Sequence, residues 1–165
     1  MKLYVLRHAE AEEGIPGVED GARRLTARGR ARMGEAAKGL RRLGVTFDTL
    51  LTSPLARAAE TAAIVAAVYS DEPPPQVLAD LATGVAPAQL VTAMVPFARR
   101  GDLMVVGHEP QLSELVSLLL TGAPDTVHSQ IRKGGCVALE MPGRLDRYDG
   151  QLLWMLTQRQ LRKLS

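Results

Sequence analysis

Three stretches of this chain end a run of strand-forming residues on groups that bind or attack oxyanions. Lys2-Leu3-Tyr4-Val5-Leu6 breaks without a spacer into Arg7-His8-Ala9-Glu10. Asp102-Leu103-Met104-Val105-Val106 breaks into Gly107-His108-Glu109-Pro110, and Phe47-Asp48-Thr49-Leu50-Leu51-Thr52 into Ser53-Pro54-Leu55-Ala56-Arg57. An imidazole is a nucleophile and a proton carrier near neutral pH, and a guanidinium is a charged planar fork suited to a tetrahedral oxyanion. Open α/β folds place their ligands at the carboxyl edge of the sheet. If the three strands run parallel, Arg7, His8, Ser53, Arg57 and His108 meet there, joined by Arg23 or Arg24 from the loop before the first helix. Such a cluster repels itself unless an anion sits at its centre. A phosphoryl group, with three equatorial oxygens, is the natural occupant.

Each residue alone is weak. A strand-end histidine is more often structural than catalytic, and an arginine in a first helical turn is more often on the surface. Arg57 opposes the dipole of its helix, so its placement calls for another justification, which a bound anion supplies. His128 has no such context and reads as a loop histidine.

The elements that must position these groups follow from periodicity and punctuation. A strand over residues 2–6 leads into a loop over 9–21 that is rich in Glu, Gly and Pro. Thr26 can cap a helix reaching residue 43, with Gly44 as its stop and Met33, Ala36, Ala37 and Leu40 on one face. A strand over 47–52 is followed by Ser53 as N-cap and Pro54 as first helical residue, opening a helix that runs to 69. Residues 70–75 read as a polar turn, 77–81 as a short strand ending near Asp80, and 87–97 as a helix. The strand over 102–106 precedes a helix to residue 120, stopped by Gly122. Residues 135–141 and 151–156 read as two last strands. The basic tail over 157–165 does not decide its structure by pattern. Strands alternating with helices imply an α/β three-layer sandwich, a mainly parallel central sheet flanked by helices.

The 165 residues suit one domain over 1–165. A composition 46% hydrophobic and 23% charged fits a soluble globular protein. A net charge of +2 gives no electrostatic case for nucleic acid, although the cations are sixteen Arg against four Lys. The single cysteine, Cys136, forbids an internal disulfide and reads as a buried strand residue. The opening apolar run reaches Arg7 too soon for a secretory signal, and the longest uncharged run, 81–98, is broken by Gly84, Pro87 and Pro96. The expectation is a cytoplasmic protein without membrane contact. Its oligomeric state is not legible.

Taken together, the motifs resemble those of the histidine phosphatase superfamily, whose fold is that of phosphoglycerate mutase. Arg7-His8-Ala9, the segment Ser53-Pro54-Leu55-Ala56-Arg57-Ala58-Ala59-Glu60-Thr61 and Val106-Gly107-His108-Glu109-Pro110 carry the likeness. The short length and the segment 20–26 look most like the SixA-type phosphohistidine phosphatases, which lack the large helical insertion of the mutases. The resemblance implies that His8 is the nucleophile and that Arg7, Arg57 and His108 bind phosphate. It makes Arg23 the additional arginine, with Arg24 standing where the family has proline.

The implied chemistry is attack by neutral His8 on phosphorus, a phosphohistidine intermediate, and hydrolysis by water. Attack requires the other ring nitrogen's proton to be held, with a backbone carbonyl as the expected partner. His108 is expected to stay protonated and donate to the phosphoryl group. Neither a metal nor another cofactor is expected. An alkoxide leaving group needs a general acid; Asp80 and Glu10 are the candidates, though both fit ordinary solvated carboxylates. Phosphohistidine leaves as imidazole and needs less acid, so it is the expected substrate, carried by a partner protein. The alternatives are a phosphatase for a small phosphoester or nucleotide, and a phosphate- or phosphoprotein-binding module with little turnover. A mutase is disfavoured for want of a closed sugar-phosphate pocket.

Overall fold

In a computed structural model that describes residues 1–70 and 74–165, the chain runs β1 (Lys2–Arg7), α1 (Ala27–Arg42), β2 (Thr49–Thr52), α2 (Ala56–Val68), β3 (Gln76–Val77), α3 (Pro87–Ala98), β4 (Leu103–Gly107), α4 (Gln111–Thr121), β5 (Cys136–Glu140), β6 (Gln151–Leu156) and α5 (Gln158–Arg162). One six-stranded sheet has the order β3-β2-β4-β1-β5-β6. The pairs β2–β3, β2–β4 and β1–β4 are parallel, while β5 and β6 add antiparallel strands at one side. The sheet is thus mainly parallel and the fold is the expected α/β sandwich.

The period of two along a strand sorts each buried run onto two faces. Tyr4 and Leu6 of β1, with Met104 and Val106 of β4, pack with Met33 and Leu40 of α1, Ala58 of α2 and Leu161 of α5. Leu3 and Val5, with Leu103 and Val105, pack with Leu90 of α3 and Leu112 of α4. Both faces are therefore covered, which is why β1 and β4 read as unbroken apolar runs. Truncating a fully buried leucine such as Leu51 or Leu103 to alanine should cost about 2–5 kcal/mol.

This packing fixes the active edge. Register pairs Arg7 with Gly107 across β1 and β4, and Thr52 with Val106 across β2 and β4. The next residues, His8, His108 and Ser53, therefore leave three adjacent parallel strands at one level. The loop after His8 is pinned to α1: Thr26 donates its backbone N–H to the Glu10 carbonyl (3.0 Å), and its side chain caps Gly29 N–H at 2.8 Å. A Cβ at Gly29 would run into that same Glu10 carbonyl, so only glycine lets the helix approach.

Several boundaries differ from the sequence reading. Helix α2 starts at Ala56 with Leu55 as N-cap, because the Ser53 hydroxyl is engaged by His108 and by the Leu55 N–H. The strand expected over 77–81 is only Gln76–Val77, followed by a single 3-10 turn, Ala79–Leu81, that carries Asp80. The tail forms α5, started by a capping box between Thr157 and Gln160. Half of the turn expected over 70–75 lies outside the described residues. No helix among those residues is long and apolar enough to cross a membrane.

Candidate active site

His8 follows the last residue of β1 and is 6% exposed. Its Nδ1 lies 2.7 Å from the Ala9 carbonyl, an acceptor only, so Nδ1 carries the proton and Nε2 keeps its lone pair. Burial, opposed by that hydrogen bond and reinforced by the charges of Arg57, Arg7 and Lys133, pushes the His8 pKa down to about 4. At neutral pH the ring is uncharged and aimed by the main chain, the state a nitrogen nucleophile needs.

Arg57, in the first turn of α2, is 3% exposed. Its Nη1 donates to the Asp20 carbonyl (3.0 Å), and its Nη2 lies 3.1 Å from the Asp20 carboxylate. Arg23 Nε donates to the same carboxylate at 2.7 Å. Partial desolvation pushes the Asp20 acid upward, but the charges and hydrogen bonds of Arg57 and Arg23 win and hold it below the ordinary range. Asp20 is therefore the counter-charge of the arginines. Thr61 ties the two halves together: its hydroxyl accepts from the Ala9 N–H (3.0 Å) and donates to the Arg57 carbonyl (2.7 Å). That fixes α2 against the turn that carries His8.

The rings of His8 and His108 face each other with centroids 5.1 Å apart. His108 Nε2 sits 2.8 Å from Ser53 Oγ, and both residues are buried. Burial, then the nearby His8, Arg57 and Arg7, outweigh the Asp20 carboxylate and bring the His108 pKa down to about 3. The expected protonated His108 is thus corrected: in the free protein it is a neutral imidazole. It still offers one N–H to an oxyanion.

Arg7 donates from Nη1 to the Ile131 carbonyl at 2.9 Å. Gly134, at φ 69°, donates its N–H to the carbonyls of Arg7 and His8 at 3.1 and 3.0 Å. The left-handed backbone that glycine allows there closes the end of β1. Four buried polar atoms without a hydrogen-bond partner among the described residues belong to this edge: Arg7 Nε, Arg57 Nε, His108 Nδ1 and Glu109 Oε1. Such atoms are costly, and they gather where a ligand supplies partners.

The edge thus brings together Arg7, His8, Ser53, Arg57 and His108, with Arg23 reaching them through Asp20. Arg24 does not join: its side chain is 77% exposed and pairs with Glu60 at 3.4 Å. Glu10 turns to α1, where Arg28 binds it at 2.6 Å and Arg32 lies at 3.8 Å. The Arg28 hydrogen bond leads the effects that hold its carboxyl below the ordinary range, so Glu10 is unsuited to donate a proton. The Asp80 carboxylate accepts from Gln89 at 2.9 Å, while its carbonyl accepts from Gln111 at 2.8 Å. The described residues hold no group of three His, Cys, Asp or Glu suited to a metal ion.

Sequence reasoning missed Asp20, Thr61 and Glu109. Asp20 was visible only as one loop carboxylate among several, and Glu109 only as the neighbour of His108. A carboxylate near an expected arginine cluster was the one signal for Asp20.

The geometry agrees with what the chain is similar to. The model of the histidine phosphatase superfamily (branch 1) matches residues 3–82. An uncharacterized protein of Picosynechococcus is 34% identical over 164 residues, covering 95% of this chain and 96% of that protein. The protein histidine phosphatase SixA, solved as a tungstate complex, superposes with a TM-score of 0.84 at 20% identity, covering 98% of this chain and 99% of that one. The alpha-ribazole phosphatase of Shigella flexneri superposes at 0.76 with 18% identity, covering 96% and 97%.

Proposed function

We propose that this chain, which belongs to the histidine phosphatase superfamily and is therefore a phosphatase, removes the phosphoryl group of protein phosphohistidine through a covalent intermediate on His8. The observation that carries the mechanism is the 2.7 Å contact between His8 Nδ1 and the Ala9 carbonyl, which leaves Nε2 as the attacking atom. The Nε2–P bond forms as the bond from phosphorus to the leaving atom breaks. Arg7 and Arg57 neutralise the equatorial oxygens, and His108 donates an N–H to one of them. Water then attacks phosphorus, inorganic phosphate departs, and His8 returns to its neutral form.

Two features support phosphohistidine as substrate. Residues 78–86 alone join β3 to α3, leaving no room for a large helical insertion. The likeness to SixA runs along the whole chain. A small phosphoester is the second reading, favoured by a cleft of about 410 Å3 beside His108 that would hold a compact leaving group.

The test is a turnover comparison between a phosphohistidine protein and small phosphoesters, with alkaline quenching to trap the phosphoenzyme. The wild type should yield phosphohistidine on His8 and prefer the phosphohistidine protein. His8→Ala should fold, yield no phosphoenzyme and lose roughly 10³-fold or more in rate. Near-normal activity in that variant would remove His8 as nucleophile; faster turnover of the small esters would replace the substrate.

A further inference from the structure

We propose that Glu109 is the proton donor to the leaving group, a role that rests on the phosphatase reading above. Glu109 follows His108 directly, and the two line the same cleft with Thr83, Pro87 and Gln111. A second cleft of about 380 Å3 continues past Glu109 and Pro110 towards Asp125 and His128. His108 belongs both to the phosphate edge and to the first cleft, so a substrate whose phosphoryl group sits at the strand ends can extend into that cleft beside Glu109.

The side chain is held for such a task. Ser113, one helical turn on in α4, donates its hydroxyl to Oε2 at 2.6 Å. Oε1 is buried and makes no hydrogen bond of regular geometry among the described residues. Arg7 from β1, Ser113 from α4 and the Ile131 backbone act on this carboxyl, and Glu114, Asp125 and His128 line the second cleft with it. Burial raises its pKa above the ordinary carboxylate value against the pull of Ser113, Arg7 and the backbone amides of Ile131 and Ser113. Glu10 is held low by Arg28, whereas Glu109 is shifted towards holding its proton.

His8 Nε2 bonds to phosphorus, and the electron pair of the breaking bond goes to the leaving oxygen or nitrogen. That atom takes the proton of Glu109, leaving a carboxylate. In the second step the carboxylate accepts a proton from the attacking water, and the acid is restored as phosphate departs. Phosphohistidine is compatible with this role, because its departing nitrogen must also gain a proton.

The experiment compares a simple alkyl phosphate with p-nitrophenyl phosphate, whose leaving group needs no acid. Glu109→Gln should lose about 100-fold on the alkyl ester. On the aryl ester it should lose less than about threefold, with the phosphoenzyme still trapped. Equal losses on both esters, or a loss below about tenfold on the alkyl ester, overturn the assignment. A second variant covers misfolding of the first. Ser113→Ala removes a hydrogen bond that lowers the Glu109 pKa, so the alkaline limb of alkyl-ester turnover should move to higher pH. A limb that stays or moves down overturns the assignment. A wild type that forms no phosphoenzyme sinks the His8 reading itself, whereas equal losses in a protein that still forms one sink Glu109 alone.

Discussion

Among the described residues, Arg57 and Asp20 form the one ion pair in which a buried guanidinium of the phosphate edge meets a mostly exposed carboxylate, at 3.1 Å, with side chains 4% and 61% exposed. The pair neutralises the site in the free protein with a group that solvent can draw away. A phosphoryl dianion and Asp20 compete for the same charge. Asp20→Asn should therefore tighten inhibition by inorganic phosphate. An exposed carboxylate is worth about 0.3–1 kcal/mol after screening, or roughly two- to fivefold. Weaker phosphate inhibition in this variant would mean that Asp20 serves to shape the loop instead.

Arg57→Lys should not behave as a mild change. The native fork spans the Asp20 carbonyl and carboxylate with two nitrogens, and an ammonium cannot reproduce that plane. Losing charge-assisted hydrogen bonds to the phosphoryl group should cost about 1.5–3 kcal/mol in kcat/KM. Unchanged kcat/KM and unchanged inhibition by phosphate would take Arg57 out of the site.

The two imidazoles give a pH test that needs no substrate. Proton NMR of the three histidines should show His8 and His108 titrating as a pair near pH 4 and 3. The unfolded chain takes up these protons near 6.5. Between about 6.5 and 4 the unfolded state therefore binds more protons than the folded one, and stability falls as the pH is lowered. A melting temperature that stays flat across that window, or ring titrations near 6.5, would contradict the buried neutral pair.

Glu10→Gln and Asp80→Asn should each slow phosphohistidine hydrolysis by less than about tenfold, well under the 10²–10⁴-fold of a true general acid. Their carboxylates are bound to Arg28 and Gln89. A loss of a hundredfold in a stopped-flow assay of either variant would return that residue to the reaction.

The sequence by itself determined the alternation of strands and helices and the chemical character of the edge. Unbroken apolar runs ending on Arg7-His8 and Gly107-His108 could only be buried strands, and Thr26, Gly44 and Gly122 punctuated the helices as observed. These signals are local: period, cap and stop are all written within a few residues. The backbone carbonyl for His8 was also foreseeable, because a nucleophilic ring needs its second nitrogen held. What only the tertiary structure decided was pairing and charge state. Arg23 and Arg24 are adjacent in sequence, yet one meets Asp20 and the other Glu60, according to how the loop lies against α2. Glu10 sits two residues from His8 but is drawn to α1, while Glu109 stays at the cleft. His108 is neutral because burial and three neighbouring cationic or imidazole groups disfavour its proton. No sequence interval encodes those neighbours. They are set by which strand ends the sheet places side by side, and by how much water the packed layers exclude.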